Sequence, residues 1–255
     1  MSKQEGVLGM SGKTFKMSRS VSQAYCDHRW EAKLSYLLAT AQQISMEHCD
    51  SLGIGGGYFR DRGYAFLLAK LRLDIARPIT GGQVLELATR PNLPVRAQYR
   101  RLTDFASSSG EMLATMDARW VLVDIESRRL LRRLPDGLEM PFLDPEELSD
   151  FRPLPAAELE QCEDVTVGYS MLDINRHVNN TVYADTVTNL LGEQLLGGKR
   201  VASFEIFYHR EALYNDVITL WRSLEDERFY IKGCVGDAAC FEAQGTLTDL
   251  DSSIA

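Results

Sequence analysis

Asp173, Asn175, His177 and Asn179, four polar side chains of the kinds used in acid–base chemistry, fall within seven positions. Histidine is the side chain whose ordinary titration range suits proton transfer near neutral pH. A neighbouring carboxylate can orient such a ring, and a carboxamide can hold a water or a carbonyl oxygen. Tyr183, Val187, Leu190 and Leu191 follow at i, i+4, i+7 and i+8. That spacing predicts a helix with one buried face, here over residues 178–196 and stopped by Gly197-Gly198. The polar cluster then sits at a helix entrance, where capping residues, unpaired N–H groups and the positive end of the dipole lie together. N–H groups near Val178 to Asn180 are candidates to hold a developing oxyanion. The plainer reading of the same string is a cap, with Asn179 and Asn180 as capping and packing residues.

The elements that must position this cluster recur twice along the chain. Trp30, Leu34, Leu37, Leu38, Ala41 and Ile44 predict an amphipathic helix running to about Cys49, with Asp27 as its cap and a short strand from Lys16 to Tyr25 before it. Gly53-Ile54-Gly55-Gly56-Gly57 follows a helix and precedes a strand, so it reads as a helix stop and loop and not as a phosphate cradle. Strands are expected over residues 64–75, 84–89, 97–105 and 112–125. The second half repeats that order: a short strand over 164–169, the helix over 178–196, and strands over 201–210, 217–223, 228–235 and 239–248. A long helix held by a twisted antiparallel sheet, twice over, is an α+β tandem (double) hot-dog fold. The expected division is a first repeat over 14–133, a linker over 134–163 and a second repeat over 164–250. Five of the chain's 8 prolines fall in that linker. Residues 1 to about 13 read as a disordered tail.

Composition narrows the function classes. With 45% apolar and 25% charged residues the chain reads as a globular domain or pair of domains. No apolar run approaches about 18 residues, so no membrane span is expected, and the polar N-terminus lacks a signal or transit pattern, so the expected location is cytoplasmic. Five scattered cysteines without a CxxC, and four histidines without metal-ligand spacing, predict neither a disulfide frame nor a metal site. No cofactor is expected. A formal net charge of −8 argues against nucleic acid as partner. Charge is uneven, however. Residues 90–133 hold 9 basic and 5 acidic side chains, a net of +4, and residues 134–164 hold 1 and 10, a net of −9. The densest basic stretch, Arg128-Arg129-Leu130-Leu131-Arg132-Arg133, is either a solvated strand end or a dock for an acidic partner.

The string Asp173-x-Asn175-x-His177-Val178-Asn179-Asn180-x-x-Tyr183 fits a DxNxHVNNxxY motif at every specified position, and Tyr208-His209-Arg210-Glu211 with Asp216-Val217 follows it. In the first half, residues 71–78 up to Gly81 and Trp120-Val121-Leu122-Val123-Asp124 match in character. On these residues the chain, over roughly 14–250, resembles the acyl-ACP thioesterase family of plants and bacteria. The resemblance implies hydrolysis of fatty acyl thioesters on acyl carrier protein, with Asp173, Asn175, His177 and Glu211 as the catalytic set. It also implies a first repeat that is catalytically silent and walls the acyl channel, with Leu37, Ala41, Tyr58 and Phe66 as candidates for that wall. Arg132 and Arg133 are candidates for contact with the acidic carrier. Ala212 stands where plant members carry Cys, which excludes a cysteine nucleophile there, and His209 replaces an Arg.

Asn175 can hold a water or the thioester oxygen, His177 can transfer protons, and Glu211 can act as base or orient His177. Asp173 can orient the network, stabilise charge on His177 or attack the carbonyl; direct water attack and a covalent anhydride both stay open. An acyl-CoA thioesterase is a close alternative. A non-catalytic module that binds an acyl thioester, or a hydratase on the same fold, is a more distant one. Each repeat can cover the other's edges, so monomer and homodimer are both expected states.

Overall fold

In the computed structural model, which describes residues 7–11, 13–143, 150–153 and 158–250, the chain divides into two compact units, Met1–Ser149 and Asp150–Ala255. Each unit is an antiparallel sheet with one long helix.

The first unit runs β1 (Val7–Ser11), β2 (Thr14–Ser20), α1 (Leu34–Ser51), α2 (Gly56–Arg60), β3 (Tyr64–Ile75), β4 (Val84–Val95), β5 (Gln98–Ser107), β6 (Met112–Asp124) and β7 (Leu130–Leu131). Its strands lie in the order β1-β2-β4-β5-β6-β3, with β7 on β6. Leu34, Leu37, Leu38, Ala41 and Ile44 form the buried stripe of α1. The helix lies against β2 and β4, whose Met17, Leu85 and Leu87 are also buried. Removing this apolar area from water is what holds the helix on the sheet.

The second unit runs β8 (Glu160–Thr166), α3 (Val182–Leu196), β9 (Lys199–Tyr208), β10 (Val217–Glu225), β11 (Arg228–Val235) and β12 (Ala238–Asp249). Its order is β9-β12-β11-β10-β8. Tyr183, Val187 and Leu191 bury the predicted face of α3, and Phe204, Ile206, Ile218, Leu220 and Phe241 on the strands are wholly buried.

Several expectations are corrected. Residues 7–11 of the supposed tail form β1 and pair with β2, because an edge strand's N–H and C=O groups are satisfied by any segment that can lie beside them. The first helix begins at Leu34, not Trp30. Trp30 has φ 65° in a turn where Asp27 Oδ1 accepts from the N–H groups of Arg29 and Glu31, so Asp27 caps that turn and not α1. Gly53 stops α1 with φ +73° as expected, but Gly56 opens the short α2. Strand β4 runs past Thr89 through Pro91. That proline lies beyond the stretch paired with β2, where a missing N–H costs no ladder bond. Helix α3 begins at Val182 and not at Val178.

Residues 144–149 and 154–157 of the expected linker lie outside the described residues. Two of its described residues are buried. Leu138 joins Ile54, Phe59, Tyr99 and Leu122 in an apolar cluster of the first unit, and Phe151 stands 5.8 Å from the Phe207 ring in the second. Among the described residues no helix is long and apolar enough to cross a membrane.

Two positions test this packing. A Cβ on Gly245 would stand 2.0 Å from Ser203 O and 2.7 Å from Phe229 Cζ, so Gly245→Ala should lower stability by about 1–3 kcal/mol. Leu37→Ala, at 1% exposure, should cost about 2–5 kcal/mol. Urea denaturation midpoints read both; unshifted midpoints would mean that neither contact is made.

Candidate active site

The polar cluster stands in a tight loop before α3. Leu172 and Val178 pair as an antiparallel bridge, and the five residues between them close on themselves. Asp173 N–H donates to His177 O at 2.9 Å and Arg176 N–H donates to Asp173 O at 3.0 Å. Arg176 takes φ 69° to make the reversal. The Asp173 carboxylate fastens the loop from within: Oδ1 accepts from Asn175 N–H at 2.8 Å, and Oδ2 accepts from Asn175 Nδ2 at 3.2 Å. Such a carboxylate-to-backbone closure is the local preference of Asp in turns.

His177 stands between two carboxylates. Its Nδ1 lies 3.6 Å from Asp173 Oδ1 and its Nε2 lies 3.8 Å from Glu211 Oε1. Both spacings are just beyond hydrogen-bond range. The His177 side chain is 23% exposed and Glu211 65% exposed, so the pair opens to solvent. Glu211 lies on the loop after β9, one residue past the expected strand over 201–210. That loop is tied down from several sides. Ala212 O accepts from Val178 N–H at 2.9 Å, and Cys240 O accepts from His209 N–H at 2.8 Å and Arg210 N–H at 3.3 Å. Leu213 N–H donates to Asp216 Oδ2 at 2.8 Å, and His177 bridges Leu213 through the backbone. His209 Nε2 lies 2.6 Å from Glu242 Oε2, and the same carboxylate takes the Tyr230 hydroxyl.

Two supports were not assigned roles from sequence. Asp216 orders the Glu211 loop; the Asn215-Asp216 pair, with Asn215 at φ 68°, is its turn signal. The Tyr208 hydroxyl donates to Asn180 O at 3.0 Å, joining the end of β9 to the start of α3. Burial pushes the phenols of Tyr208 and Tyr183 well above their ordinary value, so both remain hydrogen-bonding and packing groups. Ala212 is fully buried, and burial also pushes the nearby Cys240 thiol up.

The expected oxyanion donors are mostly spent. Val178 N–H is bound to Ala212 O and Asn179 N–H to Met171 O at 2.9 Å, because the helix starts four residues later than the pattern implies. Asn179 Oδ1 accepts from Thr181 N–H at 3.0 Å and Thr181 Oγ1 at 2.9 Å, which is a capping role.

The first unit builds the same scaffold with different side chains. Cys26 bridges Ala32, and Glu31 bridges Thr80. Asp27 N–H donates to Glu31 O at 2.8 Å and Ala32 N–H to Ile79 O at 2.7 Å. This pairing aligns Asp27 with Asp173, Arg29 with Asn175, Glu31 with His177, Ile79 with Ala212 and hence Pro78 with Glu211. His28 matches Ile174, not His177. Arg29 Nη2 lies 3.4 Å from Asp27 and 3.8 Å from Glu31, an ion cluster where the second unit has an imidazole.

Of the residues named for an acyl wall, Phe66 lines a cavity of ≈ 310 Å³ within the first unit. Tyr58 packs against the apolar cluster beside it, and Leu37 and Ala41 are buried on α1 outside that lining. Arg132 and Arg133 are exposed just beyond β7. Among the described residues, no cluster of three or more His, Cys, Asp or Glu could hold a metal.

The family model for the acyl-ACP thioesterase N-terminal domain matches residues 12–140, and that for the C-terminal domain matches residues 156–234. The chloroplastic palmitoyl-acyl carrier protein thioesterase of Gossypium hirsutum is 23% identical over 252 residues, which cover 92% of this chain and 61% of that protein. The chloroplastic dodecanoyl-[acyl-carrier-protein] hydrolase of Umbellularia californica is 22% identical over 83% of this chain and 59% of that protein. The chain thus spans about three fifths of the length of these curated relatives. An acyl-ACP thioesterase from Bacteroides thetaiotaomicron has the same fold, with a TM-score of 0.86, 17% identity, and coverage of 94% of this chain and 100% of that one. The 12:0-ACP thioesterase of Umbellularia californica gives a TM-score of 0.78 at 18% identity over 95% of this chain and 100% of that one. With both family models matched in order along most of its length, this tandem hot-dog chain belongs to the acyl-ACP thioesterase family.

Proposed function

We propose that this chain hydrolyses fatty acyl thioesters on acyl carrier protein, releasing free fatty acid and holo carrier protein. The observation that carries the reading is the His177 ring set between Asp173 and Glu211, at 3.6 and 3.8 Å, with Asn175 fastened to Asp173 beside it. In this reading Glu211 and His177 take the proton from a water as it attacks the thioester carbonyl. Asn175 holds the carbonyl oxygen or the water, and His177 returns the proton to the leaving thiolate. The N–H of Asn180 is the remaining candidate from the helix entrance to share the oxyanion. Asp173 orients the others. Its two oxygens already take two N–H donors from Asn175, which lowers a carboxylate's nucleophilicity and favours direct attack by water over an anhydride.

The first unit is proposed to be catalytically silent, since Arg29, Glu31 and Pro78 fill the positions of Asn175, His177 and Glu211. Its apolar cavity is the proposed place of the acyl chain, with Phe66 in the wall. Acyl carrier protein is the proposed partner. Arg128, Arg129, Arg132 and Arg133 are all exposed, and their side chains make no ion pair among the described residues, a suitable face for an acidic carrier.

Thiol release from acyl-ACP and acyl-CoA of several chain lengths tests the reading. His177→Ala and Glu211→Gln should each lower kcat by about 10²–10⁴-fold, and Asn175→Ala by about 10²–10³-fold, with unfolding midpoints retained. Full activity in His177→Ala would remove the assigned site, and better turnover of acyl-CoA would change the carrier.

Single turnover in ¹⁸O-labelled water should place the label in the fatty acid and none in Asp173. Label in the Asp173 carboxylate, found by peptide mass spectrometry, would instead establish the anhydride.

Arg132→Glu with Arg133→Glu should raise KM for acyl-ACP and leave KM for acyl-CoA unchanged. Equal KM values for acyl-ACP in wild type and variant would rule this face out as the dock.

A further inference from the structure

The sheet of the first unit buries three arginines: Arg100, Arg101 and Arg119. Two of them have a carboxylate. Arg119 Nη2 lies 2.9 Å and Arg100 Nη2 3.4 Å from Asp117 Oδ2. Arg101, at 7% exposure, has none among the described residues. Its Nη1 donates to His48 Nδ1 at 3.1 Å and its Nη2 faces Cys49 Sγ at 3.6 Å. A guanidinium cannot accept, so His48 Nδ1 is a lone pair. Burial pushes the Cys49 thiol up, so it carries no charge to offset the arginine. Burial likewise pulls Arg101 below its ordinary value, as expected of a cation without a counter-ion.

An uncompensated buried charge is costly. Arg101 lines the ≈ 310 Å³ cavity. The Tyr99 hydroxyl and Gln42 Nε2 belong to residues of the same lining, and each is buried without a hydrogen-bond partner among the described residues. All three groups can donate a hydrogen bond. The rest of the wall is mainly apolar, with Phe59, Phe66 and Trp120 among it. The cavity therefore combines a chamber at the small end of ligand sites, which span about 300–1,000 Å³, with a planar cation suited to bidentate recognition of carboxylate.

We propose that this cavity binds a free alkyl carboxylate, with its chain against the apolar wall and its carboxylate on Arg101. This goes beyond the hydrolase reading. The methyl end of an acyl chain offers nothing to a guanidinium, whereas a released fatty acid does. Occupancy by fatty acid then gives the chain a means of sensing its own product class.

The test uses the full chain and no thioester, so its outcome is independent of whether the chain is a hydrolase. Decanoate and decan-1-ol are titrated separately by calorimetry, with Trp120 emission as a local reporter. Wild type should bind decanoate at one site, at least about tenfold tighter than decan-1-ol, the scale of one charge-assisted pair. Arg101→Met should abolish that preference while decan-1-ol still binds, and Arg101→Lys should keep part of it. Equal affinity of wild type for the two ligands, or no binding of decanoate, overturns the proposal. The wild-type comparison decides the matter even where Arg101→Met fails to fold. A preference that survives intact in a folded Arg101→Met also overturns the role of this arginine.

Discussion

The hydrogen bonds from Asn175 to the Asp173 carboxylate are what the geometry of the proposed site depends on. Asp173 closes a five-residue reversal by accepting from the Asn175 backbone at 2.8 Å, and the same carboxylate stands 3.6 Å from His177 Nδ1. One side chain thus folds the loop and faces the imidazole. A turn of this kind is formed locally, by residues two and four apart, so it needs little from the distant chain to hold its shape. It needs the distant chain only for its second carboxylate. Glu211 arrives on a loop fixed by Val178 N–H on Ala212 O, by Cys240 O and by Asp216. Backbone hydrogen bonds do most of this positioning.

The two units show how one scaffold is kept while its chemistry changes. Both hold an Asp at the first position of the reversal, and both have a residue at positive φ three places later, Trp30 and Arg176. Both bridge the loop to a second segment by equivalent backbone bonds. The difference lies in three side chains. Arg29 pairs with both Asp27 and Glu31 in the first unit, and Pro78 supplies no acid. The second unit keeps an amide, an imidazole and a carboxylate at the same places. Conserved hydrogen bonding with exchanged side chains is the expected result when the turn serves stability and the side chains serve function.

The interior of the first unit is unusual in another way. Its sheet buries three arginines, and two of them share one aspartate. The third faces a chamber with neutral neighbours. In a domain whose helix and strands otherwise bury Leu, Ile and Phe, such a group is either a standing cost or a ligand contact. The unsatisfied donors of Tyr99 and Gln42 in the same wall favour the second reading, since donors without acceptors are rare in folded interiors.

By itself the sequence determined the fold class and displayed the polar string before the second helix. Helical periodicity at Leu34, Leu37, Leu38, Ala41 and Ile44, and again at Tyr183, Val187 and Leu191, is a local property and survives without tertiary knowledge. The polar cluster at Asp173, Asn175 and His177 was legible for the same reason, whereas Glu211 was named only through the resemblance of Tyr208-His209-Arg210-Glu211 to the family. The tertiary structure decided what local pattern cannot carry. Val178 and Asn179 read as the first turn of a helix, yet their N–H groups go to Ala212 and Met171, since a bridge to a distant segment outcompetes an early helix start. The strand expected over 84–89 runs on through Pro91, whose register places it beyond the stretch paired with β2, where no N–H is wanted. The alignment of Glu31 with His177, and the isolation of Arg101 from any carboxylate among the described residues, depend on which strands lie side by side. Those are contacts between residues far apart in the chain, and no local pattern encodes them.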